Sequence, residues 1–375
     1  MALATVLAIT LWLFSGIHCN DGPLFLTPYI EKGHIQEARR LSANQPLVES
    51  VLSYSGFLTV NKTTRNNLFF WYFPAESDDS ESPVAVWLNG GPGCSSLYGA
   101  LFEIGPYKLE NDWVTKRDFY WTKNMHRINL RGISIGNGII DPVNQMIHGQ
   151  HQYQLGLIDE EQLNRLNFLE SEIVENIRAM RWRQAAEGFK GLFWNYKGQP
   201  DNLLLNDTGF TAHYNILEPE DDSMARLVKF VNRTLVKEIL HVGNLPFNDG
   251  RVSEDYLFED MMKSVLPWFL EILSNYDVLL YSGQLDIILP YPTQENFLRK
   301  MPWTGSIAYR NAPRKIWRVG KDIAGYTKTL YHKSGSKHLH FTHILVRSAG
   351  HVVPKDQPKA AFDMITRFTS EKNPF

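Results

Sequence analysis

The chain has 375 residues, of which 43% are hydrophobic and 21% are charged, and this composition is typical of a globular protein with a sizeable core. Its 38 basic and 40 acidic residues give a net charge of −2 without a basic run, which argues against a nucleic-acid-binding protein. Two cysteines, Cys19 and Cys94, are too few for a disulfide scaffold.

The first residues predict a targeting segment. Leu3–Phe14 is apolar except for two threonines, and small and polar residues follow it. A run of this length is too short to span a bilayer but suits the apolar region of a signal peptide. We therefore expect a signal peptide over residues 1–19, with cleavage near Cys19, and a mature domain over 20–375.

The mature sequence fits a secretory route. Three Asn-X-Thr sequons, at Asn61, Asn206 and Asn232, predict glycosylation. No later stretch reaches 18 uninterrupted apolar residues, so we expect no membrane span. The expected destination is outside the cell or in the lysosome. If cleavage follows Cys19, Cys94 has no partner for an intramolecular disulfide.

Short β-branched or aromatic runs, most of them ending at glycine, predict strands at Asn67–Phe73, Val84–Leu88, Ile128–Ile135, Val278–Tyr281 and His343–Val346. Helical spacing of apolar residues predicts helices at Ile35–Leu41, Asp159–Phe193, Phe258–Leu273 and Ala360–Phe368. Alternating strands and helices predict an α/β fold with a mostly parallel sheet. The stretch from about 150 to 265 has few strand signals, and we interpret it as a helical cap insertion.

Two predicted strands are followed by ionisable residues, Asp286 and His351. Catalytic groups of open α/β sheets gather beyond the carboxyl ends of the strands. The order acid then histidine is the second half of a Ser-Asp-His arrangement, in which the carboxylate orients the imidazole base. The alternative is a loop aspartate and a loop histidine that never meet.

A glycine-rich turn, Asn89-Gly90-Gly91-Pro92-Gly93, follows the predicted strand Val84–Leu88. Such a turn brings backbone N–H groups close to a reacting oxygen, as an oxyanion hole requires. The alternative is a plain tight turn between a strand and a helix. A phosphate-binding loop fits less well, because no Gly-Lys-Ser/Thr follows.

An obvious nucleophile is missing. Ser134 lies in a Gly-X-Ser-X-Gly pattern, but a nucleophile elbow requires a strand, a sharp turn and a helix. Here Ser134 falls inside the predicted strand, and turn residues follow it. Ser95 and Ser96, beside the glycine-rich turn, are better explained as helix caps.

Three histidines, His338, His340 and His343, raise the question of a metal site. Alternate residues of a strand share a face, so His343 points away from the other two. No carboxylate or cysteine is near them in the sequence. We therefore expect neither a metal nor another cofactor.

These motifs together resemble the serine carboxypeptidases, exopeptidases of the α/β-hydrolase fold, and most closely their vitellogenic-like branch. The matching segments are Trp87–Ser96, Phe102–Pro106, Ile135–Gly138 with Asp141-Pro142, Tyr281–Asp286, Ala349–Pro354 and, as a marker of the branch, Ile239–Gly243. The resemblance covers nearly all of the mature chain.

The resemblance implies roles for individual residues. Asp286 and His351 would be the acid and the base of the triad, and the backbone N–H of Gly91 would serve the oxyanion hole. Asn89, the Gly90 backbone and Glu103 would bind the C-terminal carboxylate of a peptide, without a cofactor. An amide and a protonated carboxyl can do so without a buried cation.

The sequence departs from the family in one place. The family carries its nucleophile in Gly-Glu-Ser-Tyr-Ala-Gly, after a Trp-Thr-Lys-Asn segment. Here Trp121–Asn124 runs within a few residues into Ile128–Gly132, so several dozen residues are absent, including sheet strands and the nucleophile elbow. This internal deletion predicts a truncated fold with exposed strand edges, lowered stability and almost no catalysis.

Three functions stay open at this point. The chain is an inactive serine carboxypeptidase homologue, a hydrolase that uses Ser134 or another serine, or a secreted or lysosomal protein that binds C-terminal peptides without cleaving them.

Overall fold

The computed structural model describes residues 22–48, 51–76, 84–121, 131–194, 203–218, 220–335, 337–370 and 375. The predicted signal peptide (1–19) and the junction at 122–130 lie outside these residues. The chain divides into two compact units. One comprises the described residues of Met1–Phe73 and Lys229–Phe247, and the other those of Pro74–Val228 and Asn248–Phe375.

The strands are β1 (Tyr54–Asn61), β2 (Asn66–Tyr72), β3 (Tyr107–Glu110), β4 (Trp113–Lys116), β5 (Gly132–Gly136), β6 (Asp277–Gly283), β7 (Arg314–Val319), β8 (Asp322–Ser334) and β9 (Lys337–Val346). The α-helices are α1 (Thr27–Glu31), α2 (Ile35–Ser42), α3 (His148–Gln154), α4 (Glu160–Arg178), α5 (Trp182–Phe193), α6 (Leu203–Thr208), α7 (Ser223–Val231), α8 (Thr234–Ile239), α9 (Arg251–Leu257), α10 (Leu266–Asn275), α11 (Tyr291–Lys300), α12 (Ser306–Asn311), α13 (Val353–Asp356) and α14 (Pro358–Thr369). Gly99–Glu103 forms a π-helical turn, and Pro142–Asn144 and Phe258–Met262 form 3-10 turns.

The smaller unit is built on the antiparallel hairpin of β1 and β2, which pairs Tyr54 with Tyr72 at its open end. Leu24, Leu26 and Ala38 form its buried apolar cluster. Asn61 closes the hairpin turn, because its Oδ1 accepts hydrogen bonds from the backbone N–H groups of Thr63 and Thr64. All three sequon asparagines, Asn61, Asn206 and Asn232, are exposed. Glycosylation of the three stays a prediction.

The larger unit contains a five-stranded sheet in the order β5-β6-β9-β8-β7. β5, β6 and β9 are parallel, whereas β9, β8 and β7 are antiparallel, so the sheet is mixed rather than mostly parallel. The fold class is α/β, as predicted.

β6 is the central strand, and its sequence explains why. Val278 and Leu280 pack with the helices α10 and α11 on one face, and Leu279 and Tyr281 pack with α14 on the other. A strand covered by helices on both faces is apolar at successive positions rather than at alternate ones. The carboxyl ends of β6 and β9 lie side by side, since the two strands are parallel neighbours.

Two predicted elements differ from the structure. Val84–Leu88 forms no strand, and Val86 and Leu88 are 81% and 80% exposed. A β-branched run needs a pairing partner to become a strand, and no described strand lies beside it. The single predicted helix over Asp159–Phe193 is two helices, because Met180 takes a positive φ of 56° between α4 and α5.

The region from 148 to 262 contains helices and no named strand in its described part. Residues 229–247 of this stretch group with the smaller unit. The cap boundaries at about 150 and 265 therefore stay a prediction. Across the described part of the chain, none of the helices has the length and apolar character needed to cross a membrane.

Candidate active site

Asp286 lies in the loop after β6 and is fully buried. Its Oδ1 accepts hydrogen bonds from the backbone N–H groups of Ile288 and Leu289, over 2.8 and 3.1 Å. Its Oδ2 lies 2.9 Å from His351 Nδ1 and also accepts a hydrogen bond from the Asn137 side chain. Because both oxygens have partners, the buried carboxylate is well compensated.

His351 follows β9, and its side chain is 25% exposed. Its backbone N–H donates to the carbonyl oxygen of Tyr214 over 2.6 Å. The loops after β6 and β9 approach closely, since a Cβ on Gly283 would lie 1.9 Å from the carbonyl oxygen of Gly350. The structure therefore brings Asp286 and His351 into contact although 65 residues separate them.

Asp286 sets the protonation of the imidazole. Burial alone would lower the pKa of His351, but the charge and the hydrogen bond of Asp286, together with the charges of Glu103 and Asp356, outweigh burial, and the pKa is raised. With Nδ1–H donating to Asp286, Nε2 is the nitrogen left to accept a proton. This is the arrangement of a general base held by a carboxylate.

Asn137 is a site residue that the sequence analysis missed. It takes a positive φ of 47°, its N–H donates to the carbonyl of Tyr281 over 2.9 Å, and its side chain donates to Asp286. The signal in the sequence was an asparagine between two glycines, because asparagine tolerates the left-handed region better than most residues. The segment Ile135–Gly138 was identified as a turn and as a family-matching motif, without a role for Asn137.

The glycine-rich turn has a backbone that requires glycine at two positions. Gly91 has a φ of 150°, and a Cβ there would lie 2.9 Å from the backbone nitrogens of both Gly93 and Cys94. Gly93 has a φ of 91°, and a Cβ there would lie 2.7 Å from the carbonyl oxygen of Gly250. The role of the Gly91 N–H as an oxyanion donor stays a prediction.

Asn89, at the start of this turn, is held in one orientation. Its Oδ1 accepts hydrogen bonds from Trp87 Nε1 over 2.8 Å and from the Gly99 N–H over 3.1 Å. Its Nδ2 donates to Glu103 Oε1 over 2.8 Å. The two donors on Oδ1 fix which end of the amide faces Glu103.

Glu103 is only 6% exposed. Burial raises its pKa to about 7, although the hydrogen bond from Asn89 opposes the rise. Arg117 fixes the surrounding backbone, since it donates to the carbonyls of Leu101, Gly105 and Tyr107. Below neutral pH, Glu103 is mostly protonated and can donate a hydrogen bond. Its role in binding a peptide carboxylate stays a prediction.

None of the serines considered above bonds to His351. Ser134 lies at the middle of β5, and its buried Oγ has no hydrogen-bond partner among the described residues. Ser95 Oγ accepts from the Leu97 N–H over 3.3 Å, but the helical turn that follows, Gly99–Glu103, has no side-chain cap, so the predicted capping role of Ser95 and Ser96 is not confirmed. Ser96 Oγ accepts from the backbone N–H of Asn89 over 3.2 Å.

The three histidines of β9 lie in separate surroundings. His340 Nδ1 is 3.1 Å from Asp277 Oδ1, His343 is buried against Tyr309, and His338 is exposed. No group of three or more potential metal ligands occurs in the part of the chain that the structure describes.

These groups border a cavity of about 1520 Å³. The polar residues that line it include Asn89, Glu103, Ser134, Asn137 and His351. The cavity also extends along all of β5 and along Val84–Leu88. It is therefore larger than a pocket for one amino acid.

Comparison with known proteins identifies the family. The serine carboxypeptidase family model matches residues 43–126 and 121–371. The chain belongs to the serine carboxypeptidase family. The two matched segments overlap at residues 121–126.

Several relatives match nearly the whole chain. The venom serine carboxypeptidase of Apis mellifera is 35% identical over 442 positions, which cover 95% of this chain and 93% of that protein. The vitellogenic carboxypeptidase of Aedes aegypti is 35% identical, with coverage of 92% and 90%. The probable serine carboxypeptidase CPVL of Homo sapiens is 36% identical, with coverage of 92% and 89%.

A solved structure supports the fold. The crystal structure of Kex1(Δ)p, a prohormone-processing carboxypeptidase from Saccharomyces cerevisiae, aligns with a TM-score of 0.65 at 17% identity. The alignment covers 90% of this chain and 97% of that one. The chain therefore has an α/β-hydrolase-like fold.

Proposed function

We propose that this serine carboxypeptidase homologue does not hydrolyse peptide bonds. The observation that carries the proposal is the environment of His351, whose Nδ1 bonds to Asp286 while no described serine hydroxyl bonds to its ring. Acyl transfer requires a nucleophile beside the base. Loss of a triad serine lowers kcat by a factor on the order of 10⁶.

The comparisons support the proposal. The alignment with the Apis mellifera relative has 442 positions, so at least 67 of them (442 less 375) lack a residue of this chain. The two family matches overlap at 121–126. By the resemblance, the family's Gly-Glu-Ser-Tyr-Ala-Gly is expected between this point and the strand that ends in Ile135-Gly136-Asn137-Gly138. We infer that the missing segment carried the nucleophile.

A fluorophosphonate probe tests this proposal, because it labels only a serine that a base and an oxyanion hole activate. We expect no mass increase on the purified, folded chain. Label that appears and is lost in His351→Ala would contradict the proposal. Retention of that label in Ser95→Ala and its loss in Ser134→Ala would then identify Ser134 as the nucleophile.

We propose further that the chain binds the C-terminal carboxylate of peptides in the secretory pathway or the lysosome. Asn89 and Glu103 support this function, since a fixed amide donor lies beside a carboxyl that stays protonated up to about pH 7. Neutral donors of this kind can hold a carboxylate without a buried cation. The relatives named above include venom and vitellogenic carboxypeptidases, which fits this location.

The binding test compares one peptide as its free acid and as its amide. We expect the amide to bind at least tenfold more weakly at pH 5, because it lacks the charge that Asn89 and Glu103 hold. Asn89→Ala should remove this preference, whereas Asn67→Ala, an exposed asparagine on β2, should keep it. Equal binding of acid and amide would contradict carboxylate recognition.

A further inference from the structure

The cavity extends past the Asp286–His351 pair along one edge of the sheet. β5 pairs with β6 on one side, and no described strand pairs with its other side. All five residues of β5 line the cavity. The backbone N–H and C=O groups of such an edge can pair with another extended chain.

The apolar run Val84–Leu88 also lines the cavity. Val86 and Leu88 are about four-fifths exposed, although their residue types are those that sheet interiors prefer. A strand-forming sequence that stays open on the cavity side offers apolar contacts to an occupant.

Helix α14 also lines the cavity. Ile365 and Phe368 line the cavity and pack in one apolar cluster with Trp87 and Trp121. The Phe368 ring also lies 2.7 Å from the position of a Cβ on Gly132, so α14 reaches the start of β5. A helix that packs near an unpaired strand edge and an unpaired strand-forming segment is the layering of an α/β fold in which the place of a strand is open.

The positions of the polar groups indicate in which direction a bound chain would run. Gly132 pairs with Asp277 at the start of β5, and Gly136 pairs with Tyr281 at its end. The π-helical turn that ends at Glu103 packs against α13, which begins just after His351. His351 shares the Asp286 carboxylate with Asn137, the residue that follows β5, so Glu103 lies toward the carboxyl end of β5. A chain that runs parallel to β5 therefore brings its own carboxyl end toward Glu103.

We propose that the cavity binds an extended, apolar peptide as an added strand parallel to β5, with its terminal carboxylate at Asn89 and Glu103. This inference rests on the proposed carboxylate binding and adds main-chain pairing to it. Addition of a strand to a sheet edge is a common mode of peptide recognition. At about 3.3 Å per residue, roughly five peptide residues match the length of β5.

The probe is a six-residue peptide of alternating Val and Thr with a free carboxylate. Two isomers carry N-methyl groups on either the odd or the even amides, because a strand presents alternate N–H groups to each neighbour. We expect at least one isomer to bind tenfold more weakly than the parent. Hydrogen exchange of residues 132–136 should slow at least tenfold when the parent peptide binds.

The outcomes separate the inference from the proposed function. If amidation weakens binding but N-methylation and hydrogen exchange show no effect, the added strand is wrong and carboxylate binding stands. If N-methylation weakens binding but amidation does not, carboxylate binding is wrong and the added strand stands. If no peptide binds, or the chain dimerises through β5 instead, both are wrong.

A variant in the apolar run Val84–Leu88 gives a second measurement. Val86→Lys should weaken binding of the parent peptide at least tenfold, because it puts a charge beside an apolar strand. Val86 is 81% exposed, so the fold should tolerate the change. The matched control is Ile307→Lys, at an exposed position on α12 that does not line the cavity. Equal binding by the two variants would contradict the proposal.

Discussion

The Asn137 side chain donates a hydrogen bond to Asp286 Oδ2, the same oxygen that lies 2.9 Å from His351 Nδ1, although 149 residues separate Asn137 from Asp286. Two loops therefore hold one carboxylate oxygen, one through an amide and the other through an imidazole. The position of the acid depends on the turn after β5 as much as on its own loop.

Replacement of Asn137 tests this dependence. Asn137→Gly keeps the positive φ but removes a donor from a buried carboxylate, so we expect a loss of about 1–3 kcal/mol in the free energy of unfolding. Asn137→Ala should lose about 1–2 kcal/mol more, because alanine resists the left-handed region. Denaturant titration measures both. Equal stability of the native protein and Asn137→Gly would show that the amide does not support Asp286.

Removal of the Asp286 charge should lower the pKa of His351. Asp286 raises this pKa, whereas burial lowers it. In Asp286→Asn, the lowering effect of burial is no longer opposed by the charge of Asp286. An NMR titration of the imidazole signals measures the change. Asp277→Asn is the control, since Asp277 faces His340 instead. A His351 pKa that stays the same in Asp286→Asn would contradict the pairing.

Glu103 should make stability fall as pH rises. Its pKa is about 7 in the folded chain and near the usual 4.5 when unfolded, so the folded state holds the extra proton between these values. The stabilisation is complete below about pH 4.5 and is lost as pH rises through 7, which amounts to on the order of 3 kcal/mol. Binding of a peptide carboxylate should weaken as pH rises through about 7, because Glu103 of the folded chain ionises there and repels it.

The comparison of Glu103→Gln with the native chain isolates this effect. Glutamine stays neutral at every pH, so the variant should show a smaller fall in unfolding free energy between pH 4 and pH 8. Glu172→Gln, at an exposed position on α4, should keep the native profile. Identical profiles for Glu103→Gln and the native chain would mean that Glu103 ionises normally.

The sequence predicted those elements whose own pattern of apolar residues reflects their burial. β6 and α14 were found because a continuous apolar run and a helical period reflect burial directly. Val84–Leu88 was predicted wrongly, because its pattern suits a strand but its pairing depends on other segments. The break at Met180 was missed, since the buried apolar residues of α4 and of α5 recur at helical spacing on both sides of it and read as one helix.

The contacts of the site could be predicted only in part. The positions of Asp286 and His351 followed from the rule that strand ends carry functional residues. The role of Asn137 did not, because a turn sequence does not tell which distant carboxylate its amide reaches. The pKa of Glu103 also needed the structure, since it depends on the burial that other elements provide.

The open edge of β5 beside the apolar run Val84–Leu88 should make the chain prone to aggregation. Exposed strand edges and apolar β-formers promote pairing between molecules. Val86→Lys should slow the growth of light scattering on heating, because a charge blocks such pairing. Ile307→Lys adds the same charge at an exposed site away from β5 and should change the rate little. Equal protection by the two variants would attribute the effect to net charge rather than to this edge.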